Sequence, residues 1–206
     1  MRLDPTNRVQ KISLIGVLAG LGAVLMAFIQ IPYPPVPFLR IEFSDVVVLL
    51  AFLLYGWKEA AFVGLLKALV NALVLGPVGP IAIGQISAFM ASMSYVLGLA
   101  LVLKFLIKTP SFLRGGLIVL LVTSVMVVLN YFFVTPIYFG SWTYIGVREW
   151  LNLSSFGLSG TGSYLWTIIV VYTPFNILKG IAVMSVYFIV AKAVIVFTEI
   201  DAKPTF

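Results

Sequence analysis

The sequence predicts an all-α membrane protein with six transmembrane helices and with both termini in the cytoplasm. Hydrophobic residues make up 62% of the chain and charged residues 10%, and the mean hydropathy is +1.14. A soluble domain is about half apolar and about one quarter charged. The apolar segments follow one another through short connections, with no polar block long enough to fold alone. We therefore expect one integral-membrane domain over residues 1–206.

Six apolar segments of the sequence are the predicted spans. A helix rises about 1.5 Å per residue, so about 20 apolar residues cross a bilayer core. The second segment is short for a span, and the sixth is predicted to begin with Thr173 as N-cap and Pro174 at the first helical position. The spans are predicted at about 12–31, 45–57, 59–75, 81–103, 116–135 and 173–197.

Two of the connections are unusual in composition. Pro32–Ser44 is rich in proline and apolar residues, and we expect a stiff loop there that lies at the membrane surface or caps a site. Ile137–Tyr172 is the longest connection and is rich in aromatic residues, glycine and serine. Because Trp and Tyr favour the membrane interface, it is a place for a short interfacial helix.

The distribution of Lys and Arg predicts the orientation, because basic residues concentrate on cytoplasmic loops. The side opposite the N-terminus carries Arg40 and Arg148, and Lys67 and Lys179 lie within spans. The side of the N-terminus carries nine cations, namely Arg2, Arg8, Lys11, Lys58, Lys104, Lys108, Arg114, Lys192 and Lys203. The net charge of +6 is thereby accounted for by cytoplasmic loops, without a nucleic-acid partner.

Several classes of function are disfavoured by what the sequence lacks. Cysteine and histidine are both absent, which removes thiolate and imidazole chemistry and the commonest metal ligands. We therefore predict no metal site and, because the spans hold no acid, His or Cys cluster, no enzyme. The chain has no G-x-x-x-x-G-K-[ST] phosphate loop. It also shows no internal repeat, which argues against an inverted-repeat secondary transporter.

Three polar residues are predicted to lie at similar depth in the outer half of the membrane. Lys179 is one of only two lysines within apolar sequence, and charges in that setting usually face a cavity or a partner. Asn176 is three residues earlier, so it shares a helix face with Lys179. Asn130 lies six residues before Pro136, at which the fifth span is predicted to end. A pocket that opens outward beneath the first loop follows as a hypothesis.

The chemistry of this set matches a neutral, flat, heteroaromatic ligand. An Asn amide presents a donor and an acceptor side by side, which complements the carbonyl and ring N–H edge of a pyrimidine-dione. A lysine adds a charged donor, and apolar loop residues would cover the ring faces. The alternative is that Asn130 and Asn176 only hydrogen-bond between helices.

Two further features have competing interpretations. Lys67 is predicted either to pair with Glu42 or Asp45 or to line the cavity floor, with the ion pair favoured. Glu42 and Asp45 are also placed to cap the second helix. Helix one carries small residues at four-residue spacings, for which internal packing is favoured over an intermolecular contact from spacing alone. These small residues are Gly16, Ala19, Gly20, Ala23 and Ala27.

Three segments carry motifs that are typical of one family of transport proteins. Pro174-Phe-Asn-Ile-Leu-Lys-Gly180 resembles the PFNxxKG signature of the family of riboflavin-specific S components of energy-coupling factor (ECF) transporters. Leu129-Asn-Tyr-Phe-Phe-Val-Thr-Pro136 is similar to its LNYF…P pattern, and Phe38-Leu-Arg-Ile-Glu-Phe-Ser-Asp45 resembles its FLxxDFSDxP segment. The departures are Glu42 for the usual Asp, Val47 for the usual Pro, and Lys67-Ala68 for a common Lys-Asn.

The resemblance implies a multi-pass substrate-binding subunit in the cell membrane of a prokaryote. Riboflavin would be the transported ligand, with no cofactor. Partners would be the transmembrane T component, on which the subunit docks and topples through the small residues of helix one, and two ATPase subunits. The implied substrate-binding residues are Asn130, Asn176 and Lys179, with Phe38 and Leu39 covering the ring, and Gly79 and Tyr172.

Two alternatives remain open from the sequence. The chain could be an S component for another flat vitamin or for a flavin nucleotide, although a phosphate would favour more basic groups than Lys179 and Arg40. It could also be a self-sufficient secondary transporter, which the small number of intramembrane carboxylates disfavours.

Overall fold

The computed structural model describes residues 8–140, 144–160 and 162–198. The elements in chain order are α1 (Arg8–Phe28), β1 (Gln30–Tyr33), β2 (Val36–Glu42), α2 (Ser44–Tyr55), α3 (Trp57–Leu75), a 3-10 turn (Pro80–Ala82), α4 (Ile83–Phe105), α5 (Ser111–Leu129), a π-helical segment (Asn130–Val134), α6 (Thr135–Tyr138), α7 (Tyr144–Trp150), a second 3-10 turn (Leu153–Phe156) and α8 (Tyr164–Thr198).

The helix α2 lies at the centre of the fold. It packs against α1, α3, α4 and α8, and all nine of its residues from Ser44 to Phe52 are buried. A helix that is apolar all round belongs in a core, which explains why this segment is short and almost without polar residues. It connects to α3 through Gly56 alone, whose φ of 95° and N–H bond to the Phe52 carbonyl (2.9 Å) close the sharp turn.

Among the described residues, four helical stretches are long and apolar enough to cross a membrane. They are Arg8–Phe28, Pro80–Phe105, Ser111–Tyr138 and Tyr164–Val196. The helix α2 is apolar but shorter, with 12 residues. The helix α3 has 19 residues, and Lys58, Glu59 and Lys67 give it three charges. The mostly helical, apolar architecture agrees with the predicted membrane fold.

The first connection is a β-hairpin, where a loop was predicted. The strands β1 and β2 pair antiparallel, with Gln30 opposite Glu42 and Ile31 opposite Ile41. Proline lacks an N–H donor, which disfavours a regular strand as well as a helix. In a two-stranded ribbon both strands are edges, however, so Pro32 and Pro37 can direct their nitrogens away from the ladder.

The predicted start of the last span at Thr173 is wrong. The helix α8 begins at Tyr164, and Pro174 lies inside it. Thr173-Pro174 has the composition of a helix start, with Thr as N-cap and Pro at the first helical position. Membrane helices nevertheless tolerate an internal proline when neighbours satisfy the freed carbonyl. Of the ten added residues 164–173, four pack into an outer apolar cluster with Val36 of the hairpin, namely Tyr164, Ile168, Val171 and Tyr172. The helix is about 52 Å long, longer than a bilayer core of about 30 Å.

The fifth span does not end at Pro136. After Leu129 the helix widens into the π-helical segment, in which the Thr135 N–H bonds to the Asn130 carbonyl, and α6 then contains Pro136. This widening accommodates a proline that cannot donate to the turn before it. The carbonyl of Tyr131, which an α-helical Thr135 would have used, accepts from the Tyr164 hydroxyl at 2.8 Å.

The small residues of α1 do not form one surface. Ala19 and Ala23 are buried within the fold, whereas Gly16 and Gly20 are exposed, and a Cβ added at either glycine would meet no described atom within 4 Å. Ala27 is partly buried. Internal packing is therefore correct for Ala19 and Ala23, and only the two glycines lie on an open helix face.

Candidate substrate-binding site

A cavity of about 330 Å³ lies between the hairpin and the helices α1, α3, α4, α5 and α8. Small-molecule sites typically enclose about 300–1,000 Å³ and combine apolar walls with a few convergent polar groups. This cavity has that character, because methionine, leucine, valine and aromatic side chains surround a small number of amides and charges.

The cavity brings together most of the residues predicted from the sequence. Asn130 from the π-helical segment and Asn176 and Lys179 from α8 all line it, and all three are buried. Further predicted residues on its walls are Phe38, Leu39 and Tyr172. Gly79 does not line the cavity: a Cβ there would meet Ile83 Cγ2 at 2.9 Å and the Tyr138 ring at 3.2 Å. Its neighbour in space, Tyr138, is a wall residue that the sequence prediction missed.

Both asparagines are held by their own helices in a way that leaves hydrogen-bonding capacity for a ligand. Asn130 Nδ2 donates to the Met126 carbonyl at 2.8 Å, and Asn176 Nδ2 donates to the Tyr172 carbonyl at 2.7 Å. Each amide nitrogen carries two hydrogens, so one hydrogen and most of the Oδ1 capacity remain. Each side chain is thus fixed in orientation by one bond while a donor and an acceptor stay available.

The Tyr172 hydroxyl lies in the same polar group. It accepts from Thr135 Oγ1 at 2.9 Å, and Thr135 Oγ1 also lies 3.5 Å from Asn130 Oδ1. Thr135 is fully buried, so these contacts join α6, the π-helical segment and α8 beneath the cavity wall. The positions of the two asparagines are therefore coupled through neighbouring polar groups.

Lys179 is paired with two carboxylates, which the sequence prediction had assigned elsewhere. Its Nζ donates to Glu42 Oε1 at 2.9 Å. It also lies 2.9 Å from Asp45 Oδ2, outside hydrogen-bond geometry, so this second contact is an ion pair. Opposite charges at such distances attract one another strongly in a buried site. Lys179 therefore offers a ligand any remaining ammonium hydrogen together with the acceptor oxygens of Glu42.

The second buried lysine completes a charge-balanced network. Lys67 Nζ donates to Asp45 Oδ1 at 3.0 Å and to Ser44 Oγ at 2.5 Å, and Ser92 Oγ donates to the same Asp45 oxygen at 2.6 Å. Lys67 and Asp45 are fully buried, and Lys67 does not line the cavity. The favoured prediction of a structural ion pair for Lys67 is confirmed.

The capping role predicted for two acids is only half right. Glu42 Oε2 accepts from the N–H of Ser44, the first residue of α2, at 2.8 Å. Asp45 instead serves both lysines. Two cations and two anions thus share one buried cluster of net charge zero.

Gln85 and Asn71 are buried polar residues of the cavity that the sequence prediction missed. Gln85 bridges the α3–α4 turn: its Nε2 donates to Asn71 Oδ1 and to the Gly76 carbonyl, and its Oε1 accepts from the Val78 N–H. Asn71 Nδ2 is buried without a protein partner in the described part of the chain. An unsatisfied buried donor is costly, so a donor of this kind on a cavity wall points to a ligand acceptor. Asn71 lies in α3 at the position four residues after Lys67, a spacing that could have indicated it.

Aromatic contacts fix the hairpin over the cavity. The Phe38 ring stacks on Tyr138 with centroids 5.6 Å apart and planes 17° apart, and it also contacts Phe156 at 5.7 Å. On the other strand Tyr33 meets Phe175 of α8 edge-on at 5.6 Å. Phe38 remains 40% exposed, so part of its ring is free to cover a ligand.

Among the described residues no group of three potential ligands could hold a metal ion.

Comparisons with known proteins agree with this description. Residues 10–191 match the model of the family described as "ECF transporter, substrate-specific component". The chain is 32% identical over 197 residues to the riboflavin transporter RibU of Staphylococcus aureus, covering 93% of this chain and 92% of that protein. It is 30% identical over 187 residues to the riboflavin transporter FmnP of Bacillus subtilis, covering 87% and 89%.

A solved structure gives the same fold. It is described as "Structure and mechanism of the S component of a bacterial ECF transporter", and it superposes with a TM-score of 0.70 at 24% identity. The match covers 93% of this chain and 98% of the other.

Proposed function

Because the chain belongs to the substrate-specific components of ECF transporters, we propose that it binds riboflavin in the cavity beneath the hairpin and delivers it to an ATP-driven transport module. Membership in this family makes the chain a transport component and not an enzyme. The relatives named as riboflavin transporters support riboflavin as the substrate. The observation that carries the proposal is the convergence of Asn130, Asn176 and Lys179 on one cavity.

The chemistry of the cavity complements a flavin. The two fixed amides offer donor and acceptor pairs to the carbonyl and N–H edge of the pyrimidine-dione ring. Phe38, Leu39 and Tyr138 offer apolar and aromatic surface to the ring faces. Asn71 Nδ2 and the remaining acceptor capacity of Gln85 Oε1 belong to residues that line the same cavity on α3 and α4, and they suit the hydroxyls of the ribityl chain.

The proposed topology has six membrane spans, with the termini in the cytoplasm and the cavity open to the outside. The α1 and α3 starts lie together, because Lys11 and Glu59 form an ion pair. Seven described cations lie at that end, at helix ends or in connections, whereas Arg40 and Arg148 lie toward the hairpin end. The positive-inside rule supports this orientation. The prediction also used Arg2 and Lys203, which lie outside the described residues.

Delivery is proposed to require a transmembrane T component and two ATPase subunits. The exposed glycines Gly16 and Gly20 give α1 an open face on which another helix can approach closely. Val17, Leu21 and Val24 on the same helix are at least 48% exposed. We assign docking to this face, with Ala19 and Ala23 supporting it from inside. The subunit would topple in the membrane when it docks.

Titration of the purified protein with riboflavin tests the proposal. We expect saturable binding by the wild type, and its absence would overturn the proposed substrate. The variant that removes Lys179 must keep the buried charge balanced, because a single change leaves an uncompensated charge. The double variant Glu42→Gln with Lys179→Met removes one cation and one anion and leaves the Lys67–Asp45 pair. A folded double variant that binds as tightly as wild type would overturn the assignment of Lys179.

A further inference from the structure

A second cavity lies at the opposite end of the helix bundle from the proposed substrate site. It encloses about 540 Å³ between the ends of α4 and α8, the start of α5 and the last turn of α2. At its border α5 approaches its neighbours closely: a Cβ at Gly98 would meet Ile118 at 3.1 Å, and one at Gly115 would meet Phe188 at 3.0 Å. Ile118 and Phe188 both line the cavity.

Two cations that have no acidic partner in the described part of the chain line this cavity. Arg114 comes from the first turn of α5 and Lys192 from the last turns of α8. Over residues 8–140, 144–160 and 162–198, neither forms an ion pair with a carboxylate. Glu59, the acid of the described residues at this end, forms an ion pair with Lys11. Arg114 Nε is enclosed without a hydrogen-bond partner among these same residues, while Nη2 donates to Ser111 Oγ at 2.9 Å.

The start of α5 adds backbone donors at the same place. Ser111 is the first residue of the 19-residue helix and lines the cavity, and no side chain of the described residues caps this end. The free N–H groups of a helix start and its positive dipole end favour a phosphate. An arginine with an unused Nε, a lysine and a helix start therefore converge on a position suited to one anion.

The remaining walls of the cavity are apolar. Ile118 and Tyr187 form a buried floor, whereas Ile107 and Val196 are 58% and 68% exposed at the rim. A free inorganic anion makes no favourable contacts with apolar walls. A phospholipid makes such contacts, because its phosphate can bind the cations while its acyl chains lie along the exposed apolar helix faces.

From this arrangement we propose that the cavity binds the headgroup of an anionic phospholipid. Basic pockets between helices on the cytoplasmic side of a membrane protein recognise such headgroups. The bound lipid would join the ends of α4, α5 and α8 through contacts to both cations. This site is separate from the proposed substrate cavity and does not depend on the identity of the substrate.

Native mass spectrometry of the detergent-purified chain tests this proposal. The protein is titrated with phosphatidylglycerol and with phosphatidylcholine of the same acyl chains. We expect the wild type to retain phosphatidylglycerol preferentially. The double variant Arg114→Gln with Lys192→Gln should lose this preference by about 30-fold, which corresponds to about 1 kcal/mol for each cation. The single variant Lys192→Gln, at an exposed residue, should lose about fivefold.

The matched control removes two cations from the same end but outside the cavity. Arg8→Gln with Lys58→Gln lies on α1 and α3, and both residues are exposed. It should keep the preference, and an equal loss would reduce the effect to surface charge and overturn the site. Equal retention of both lipids by the wild type would also overturn it. Displacement of the lipid by equimolar inorganic phosphate would contradict a lipid site and leave a small-anion site.

Discussion

Glu42 Oε1 on the hairpin lies 2.9 Å from Lys179 Nζ on α8, although the two residues are 137 positions apart in the chain. Both residues line the proposed substrate cavity, and both are buried. The contact therefore ties the cover of the cavity to its wall, at the place where the ligand is proposed to bind. Because Asp45 also contacts Lys179, this tie belongs to a four-residue charge network, and the network makes separate predictions for stability and for binding.

The first prediction concerns the charge balance of the network. Asp45→Asn leaves Lys67 without a carboxylate, and breaking a buried pair costs about 3–5 kcal/mol. The double variant Asp45→Asn with Lys67→Met leaves only the neutral pair of Lys179 and Glu42, so it should recover at least half of the loss. Thermal unfolding in detergent compares the two. Equal destabilisation by the single and double variants would contradict a charge-balanced cluster.

The second prediction concerns the two amides. Asn130→Ala and Asn176→Ala should each weaken riboflavin binding by about 10-fold, because each removes about 1–1.5 kcal/mol of hydrogen bonding to the ligand. Isothermal titration measures the change. Ser124→Ala is the control, since Ser124 lies on an exposed face of α5 and donates to the Leu120 carbonyl of its own helix. Unchanged binding by both variants would indicate that Asn130 and Asn176 only form hydrogen bonds between helices, which is the alternative that the sequence also allowed.

The third prediction separates binding from folding at Asn71. Its Nδ2 is buried without a partner among the described residues, so Asn71→Ala removes an unsatisfied donor as well as the contact with Gln85. We expect the free energy of unfolding of the ligand-free protein to change by less than about 1 kcal/mol, the worth of one hydrogen bond. Riboflavin affinity should fall by about 3- to 10-fold for the loss of one bond. A variant that loses stability but not affinity would make Asn71 structural.

The fourth prediction concerns phosphorylated flavins. Lys179 is already neutralised, so Arg40 is the one cation lining the cavity without a carboxylate among the residues described. FMN should therefore bind at least about 10-fold more weakly than riboflavin. Removing its charged phosphate from water costs free energy, and an ion pair with a single exposed cation offsets little of that cost. Arg40→Gln should weaken FMN further by about threefold and leave riboflavin unchanged. Competition titrations measure both, and equal affinities for the two flavins would contradict the prediction.

The grouping of Asn130, Asn176 and Lys179 could be predicted because depth along a helix follows from counting residues. Counting residues from Pro136 and Pro174 gave comparable depths, although Pro136 does not end its helix and Pro174 does not begin its own. The error in both cases was to treat proline as a terminus. In one helix a π-helical widening accommodates the proline, and in the other the helix continues through it.

The partners of Lys179 could not be predicted, because they come from long-range packing. Glu42 and Asp45 are adjacent to the start of α2, where a capping role is the local interpretation. Only the packing of α2 against α3, which carries Lys67, and against α8, which carries Lys179, brings them to the two lysines. The hairpin was missed for a local reason, since its strands contain proline. Gly79 was misplaced because a turn residue gives no sign of which side faces a cavity.

The absorption spectrum of the purified wild-type protein, supplied with riboflavin and freed of excess, tests the central claim most directly. We predict a flavin band that accounts for about one riboflavin per chain, and its loss in the Asn130→Ala and Asn176→Ala double variant that still elutes as a folded protein. A wild-type spectrum without a flavin band under saturating riboflavin would contradict the proposed function.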